Sequence, residues 1–104
     1  MDIVGGVMDN YEYKQINEVK PSDKKFCSVG KVKKKLDGII ILEDEQAEIE
    51  LEAEFEVKEG EFVRVFCSKA NSHFKIDFLQ KISQEELNLF KRFLSLYKMV
   101  KEYV

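Results

Sequence analysis

These 104 residues contain no tryptophan, one proline (Pro21), one histidine (His73), two cysteines and five glycines. Each scarcity removes a class of function. His73 has no cysteine or histidine cluster about it, so the ligand sets of structural and catalytic zinc are missing. Serine, cysteine and histidine show no spacing that would assemble an activated nucleophile. The pair Gly5-Gly6 is too isolated to be a phosphate-binding loop. No apolar run approaches the ~20 residues needed to cross a bilayer, and no signal peptide opens the chain, so no membrane role is expected. Cys27 and Cys67 fall inside predicted strands and read as buried thiols of a reducing, intracellular setting rather than as a disulfide. The reading is of a protein that is not an enzyme and has no cofactor, no metal and no small-molecule substrate.

What is abundant is charge, unevenly placed. From Lys20 to Lys35 seven lysines face one aspartate, a net of +6, whereas Glu43 to Glu61 carries ten acids against Lys58, a net of −9. The whole chain is at −3. Non-specific nucleic-acid affinity is mostly phosphate neutralisation, so the isolated chain should bind single strands weakly at physiological salt.

The most telling stretch is Ala47-Glu-Ile-Glu-Leu-Glu-Ala-Glu-Phe-Glu-Val57, which alternates apolar and acidic residues. As a strand it puts Ala47, Ile49, Leu51, Ala53 and Phe55 on one face and Glu48, Glu50, Glu52, Glu54 and Glu56 on the other. As a helix the same residues give no coherent stripe. Fully extended it would span roughly 35 Å, longer than an ordinary strand, so a bend is expected near Ala53 before Gly60. The glutamate column would repel a phosphate backbone. A ladder of carboxylates does not converge on a point, so it is not a metal site either.

Residues 1–22 lack periodicity and read as a flexible start, followed by a short segment around Tyr13, Ile16 and Val19 against the domain. The barrel is expected over 23–82. Its first strand runs from Lys25 to Lys35, where a glycine bulge at Gly30 would reconcile the facing of Cys27 and Val29 with that of Val32. Asp37-Gly38 makes a hairpin turn into Ile39–Leu42, and the acidic alternation follows the Asp44-Glu45 turn. Phe62–Ser68 and His73–Leu79 complete the set. In the last of these Phe74, Ile76 and Phe78 are expected to share one face.

Residues 83–104 read as a helix. Ser83 and Glu86 fit a capping box, Ile82 and Leu87 a hydrophobic staple, and the helix continues to about Tyr103, roughly 30 Å at 1.5 Å per residue. It carries two apolar stripes: Leu87, Phe90, Leu94 and Tyr97, and Leu89, Phe93, Leu96, Val100 and Tyr103. One stripe suffices for docking on a small sheet, so the second is the candidate partner surface; the competing reading buries both stripes in the monomer. Five strands followed by one long helix spell an all-β fold with a C-terminal helix, a five-stranded Greek-key barrel of the OB type.

With that order in place, the sequence resembles the small subunit of eukaryotic replication protein A, the heterotrimer that coats single-stranded DNA. The resemblance rests on Phe26-Cys27-Ser28-Val29-Gly30-Lys31-Val32, which is similar to the family's first-strand V-C-x-V-G-R-L. It rests also on Ile39–Leu42 before an acidic turn, Glu48-Ile49-Glu50-Leu51, Gln15-Ile16-Asn17 and the aromatic terminal helix. It covers about residues 14–100. It implies a nuclear structural subunit in DNA replication, repair and recombination, bundling its C-terminal helix with those of the middle and large subunits. Single-stranded DNA would then be met mainly through the complex. The glutamate column is heavier than that family's pattern, which counts against DNA contact through this chain.

Direct contact, where it occurs, would fall to Lys31, Lys33, Lys34 and Lys35, with Lys69 and Asn71 in the last strand–strand loop. The strands that usually form the base-stacking platform offer no aromatic residue here. A solvated lysine face is the plainer alternative. Two rival readings remain: the small OB subunit of a telomere-capping complex, and an RNA-binding OB module acting alone.

Overall fold

Alternation and turn chemistry dictate most of the architecture. The structure, a computed structural model, describes residues 11–103; for the helix beyond Phe93 it describes only the side chains of Ser95 and Leu96. In order the elements are β1 (Glu12–Tyr13), a 3-10 turn (Ile16–Glu18), β2 (Lys25–Leu36), β3 (Ile39–Glu43), β4 (Glu48–Glu52), β5 (Phe62–Ala70), β6 (His73–Ile82) and α1 (Gln84–Tyr103). The expectation of a flexible start at Gly5-Gly6 lies outside the described residues.

The strands β2 to β6 close into the expected barrel, with neighbours in the order β2-β3-β4-β6-β5 and β5 returning to β2. All these pairings are antiparallel except β4 with β6, which meet in parallel through Leu51 beside Phe74 and Glu52 beside Lys75. Closure removes the open edges that would invite pairing with other chains. The interior is filled by Phe26, Val32, Ile40, Leu42, Leu51, Val63, Val65, Cys67, Phe74 and Ile76, all buried.

The acidic alternation behaves as one device. β4 ends at Glu52, near the bend expected at Ala53, yet the inward residues continue past it: Leu51, Ala53 and Val57 are buried while Glu50, Glu54 and Glu56 are exposed. The period of two thus wraps the barrel even where strand pairing has stopped.

Two expectations about facing are corrected. There is no bulge at Gly30: β2 pairs with β5 in unbroken register from Lys25–Ser68 to Lys31–Phe62. The change of facing needs no inserted residue, because both faces of this segment are covered. Phe26 and Val32 face the barrel, whereas Cys27 and Val29 face a second cluster beneath the helix. Gly30 serves close approach instead, since a Cβ there would stand 2.7 Å from the Glu43 carbonyl oxygen and 2.9 Å from Leu42 Cγ. The irregularity in β2 falls at Lys33, between Val32 and Lys34.

The second correction concerns β6. Phe74 and Ile76 are buried as expected, but Phe78 is 50% exposed. Phe66 pairs with Phe78 and Cys67 with Ile76, so Asp77 is an extra residue that reverses the facing beyond it. Leu79 packs on the barrel core in place of Phe78.

The segment before β2 is fastened to the barrel. β1 pairs in parallel with Phe26 and Cys27. Ile16 is buried in the barrel cluster, with Val19 packed against it. Lys14 Nζ donates to Asp23 Oδ1 at 2.8 Å. Burial alone would raise the Asp23 pKa, but donation from Lys14 and from the Lys20 amide outweighs it and holds the carboxyl below its ordinary value.

Candidate functional site

The start of α1 forms as its sequence dictates. Ser83 Oγ accepts from the Glu86 amide at 3.1 Å and Glu86 Oε1 accepts from the Ser83 amide at 2.9 Å, a reciprocal box that satisfies donors left free at a helix start. Ile82 and Leu87 join the same buried cluster, the staple expected of them. Leu87 and Phe90, each 7% exposed, pack on Tyr11, Cys27, Val29 and Phe66 on the outside of the barrel wall. Arg64 lies over the Phe90 ring, 5.1 Å from guanidinium carbon to centroid.

The other stripe points away. At about 100° per residue, a side chain two positions on stands nearly opposite. Leu89 is accordingly 61% exposed and Leu96 60%. Phe93 stands between the two faces at 48%, its ring meeting Tyr13 edge-on with centroids 5.8 Å apart. The side chains of Val100 and Tyr103, and of Leu94 and Tyr97 in the first stripe, lie outside the described residues.

The candidate phosphate-binding residues do not form one patch. Lys31, Lys33, Lys34 and Lys35 are exposed along the second half of β2. Lys33 Nζ donates to Glu48 Oε2 at 2.6 Å, and this carboxylate raises the lysine pKa by hydrogen bonding and charge. Lys69 is engaged elsewhere: its Nζ donates to the Pro21 carbonyl at 2.6 Å and lies 4.8 Å from the Phe74 ring centroid. Asn71 sits in the turn between Ala70 and His73 with φ +60°, a conformation asparagine tolerates. Lys69 is the residue of β5 after Ser68, which pairs with Lys25 at the start of β2, so Lys69 and Asn71 lie at the opposite end of β2 from Lys31–Lys35.

Register defines the outer face of those strands. One row reads Lys31, Glu43, Glu48; the next Lys34, Ile41, Glu50; the third Leu36, Ile39, Glu52. The face that OB domains commonly offer to single strands thus has Lys31 and Lys34 before Leu36 along β2, Glu43 before Ile41 and Ile39 along β3, and glutamate throughout β4. Leu36, at the end of this strip, is 44% exposed. His73 Nε2 contacts Glu52 Oε1 beside the third row.

Sequence reading missed the constellation around Asp77. The carboxylate accepts from Tyr11 at 2.9 Å and from Ser68 Oγ at 3.1 Å. Burial first, then the Asp77 hydrogen bond and charge, push the Tyr11 phenol up to about 12. The only available signal was an aspartate inside an otherwise regular alternation.

Both cysteines are buried free thiols. Burial pushes the Cys27 thiol up to about 12 and raises that of Cys67 as well, so neither is an activated thiolate. Among the described residues no three His, Cys, Asp or Glu side chains are grouped to hold a metal ion.

No family model matches the chain, and no curated protein matches it either. Solved structures similar to it in fold include two from S. pombe. The telomere capping protein Ten1 from S. pombe is 13% identical, with a TM-score of 0.72, over 86% of this chain and 98% of that one. The S. pombe Stn1–Ten1 complex contains a chain that is 13% identical, with a TM-score of 0.72, over 86% of this chain and 92% of that one. At that identity the likeness establishes the OB fold, a sheet barrel with one C-terminal helix, shared with these proteins.

Proposed function

We propose that this chain is the small OB subunit of a telomere-capping complex on single-stranded DNA, held to a larger subunit by the outward stripe of α1. The observation that carries this reading is the pair Leu89 and Leu96, 61% and 60% exposed on a helix whose Leu87 and Phe90 already dock it to the barrel. Large aliphatic side chains in a helical row outside a filled core mark a surface that another protein covers. The likeness in fold to a telomere capping protein, itself solved together with Stn1, supports this kind of assembly over others.

In this reading the barrel is a rigid body and the helix a connector, with Val100 and Tyr103 extending the connecting stripe. The assembled complex, rather than this chain alone, grips the DNA, and the protein resides in the nucleus. A stand-alone RNA-binding module fits less well, because carboxylates line β4 and no aromatic lies on the outer rows of β3 and β4. The replication protein A small-subunit reading keeps the support of Phe26–Val32 and differs in the identity of the partner.

The test is co-purification with endogenous partners of the wild-type chain and of Leu89→Asp/Leu96→Asp. Loss of partners by a variant that still melts cooperatively is expected; unchanged assembly would sink the helix role. Preference of the purified complex for telomeric repeats over random single strands separates the capping reading from the replication one.

A further inference from the structure

The charge segregation that dominates the sequence is not used by a helix-mediated assembly, and the rows of the outer face give it a different meaning. Lys34, Ile41 and Glu50 stand side by side across β2, β3 and β4, with Lys31 and Glu48 extending the two outer columns. Lys31, Lys34, Glu48 and Glu50 are all exposed, Glu48 also accepting from Lys33 of its own chain, and the lysine column ends at Leu36, also exposed and opposite Ile39.

A half-turn about an axis along β3 lays such a face on a copy of itself. The lysine column of each copy then meets the glutamate column of the other, and Ile39 and Ile41 meet their own equivalents. A half-turn about the in-plane axis across the strands sets lysine on lysine and glutamate on glutamate, which is repulsive. The pattern therefore selects a single self-complementary orientation, the arrangement a two-fold dimer requires. Glu43, which falls on the axis, has Lys31 directly opposite it in the ladder.

We infer that the outer β2–β3–β4 face is an isologous contact between two copies of this chain, with the two-fold axis along β3. It goes beyond the proposed function and uses elements other than α1. Exposed ion pairs are individually weak and screened by salt, so the dimer is weak, concentration-dependent and dissociated by salt. While formed, it covers the face that OB domains offer to single strands.

Sedimentation equilibrium on the full chain carrying Leu89→Asp/Leu96→Asp removes any association through the helix. At a few hundred micromolar and low salt the average mass should approach twice the monomer, returning to the monomer at ~1 M salt, where the screening length is about 3 Å. Adding Lys31→Glu/Lys34→Glu makes the four exchanged and partner positions of the two columns acidic, and adding Glu48→Lys/Glu50→Lys makes the same four positions basic. Each variant should be monomeric alone, the two should dimerise when mixed, and a chain with all four exchanges should dimerise again. A monomer at every concentration, a dimer that survives either exchange, or a mixture that stays monomeric would each overturn the inference. So would a dimer seen only with the helix leucines intact, which assigns self-association to α1.

Discussion

The Tyr11 hydroxyl donates to Asp77 Oδ2 at 2.9 Å, joining the segment before the barrel to the residue that breaks the alternation of β6. The extra residue therefore does two things: it turns Phe78 outward and presents a carboxylate to the N-terminal segment. Tyr11 also meets Phe66 edge-on, with ring centroids 5.5 Å apart, in the cluster that seats α1. The seat of the helix thus depends on the bond at its edge.

Tyr11→Phe keeps the ring and removes that bond, which is made to a charged group. A loss of about 1.5–3 kcal/mol is expected, read from urea unfolding. The pH dependence has a definite sign. With the folded phenol near 12 against an ordinary 10.0, this contribution is complete below pH 10 and is lost as pH rises towards 12. The Phe variant should lack that alkaline decline; an unchanged one would show that Tyr11 is not its source.

Gly30→Ala places a methyl group 2.7 Å from the Glu43 carbonyl oxygen, a backbone atom that can give way only if β3 moves. Overpacking of this kind costs about 1–3 kcal/mol. The expected readout is a fall in melting temperature with the far-ultraviolet circular dichroism spectrum retained. A variant as stable as the wild type would mean that β2 and β3 separate freely at this point.

The two stripes of α1 should respond differently to truncation. Leu87→Ala opens a cavity in the cluster under the helix and should cost about 2–5 kcal/mol. Leu89→Ala, two residues on and 61% exposed, should stay within about 0.5 kcal/mol. Denaturant midpoints of the purified variants decide it, and equal losses would mean that Leu89 is packed in solution.

Local chemistry was legible wherever one residue type sets one local geometry. The Ser83–Glu86 box, the Asp37-Gly38 turn, the inward and outward faces of Ala47–Val57 and the five-strand order all follow from short-range pattern, because period, turn type and cap are decided within a few residues. That Leu87 and Leu89 cannot share a face is likewise a matter of helical period. What the tertiary structure decided is long-range pairing. Gly30 read as a bulge because nothing local announces that Cys27 and Val29 are covered from outside while Phe26 and Val32 are covered from within. The bulge at Asp77 exists because β5 has one residue fewer opposite it and because Tyr11 and Ser68 satisfy its carboxylate from distant positions. The lysines of β2 and the glutamates of β4 become two columns flanking β3 only when the three strands are hydrogen-bonded in register, a relation that includes the irregularity at Lys33 and that no single strand contains.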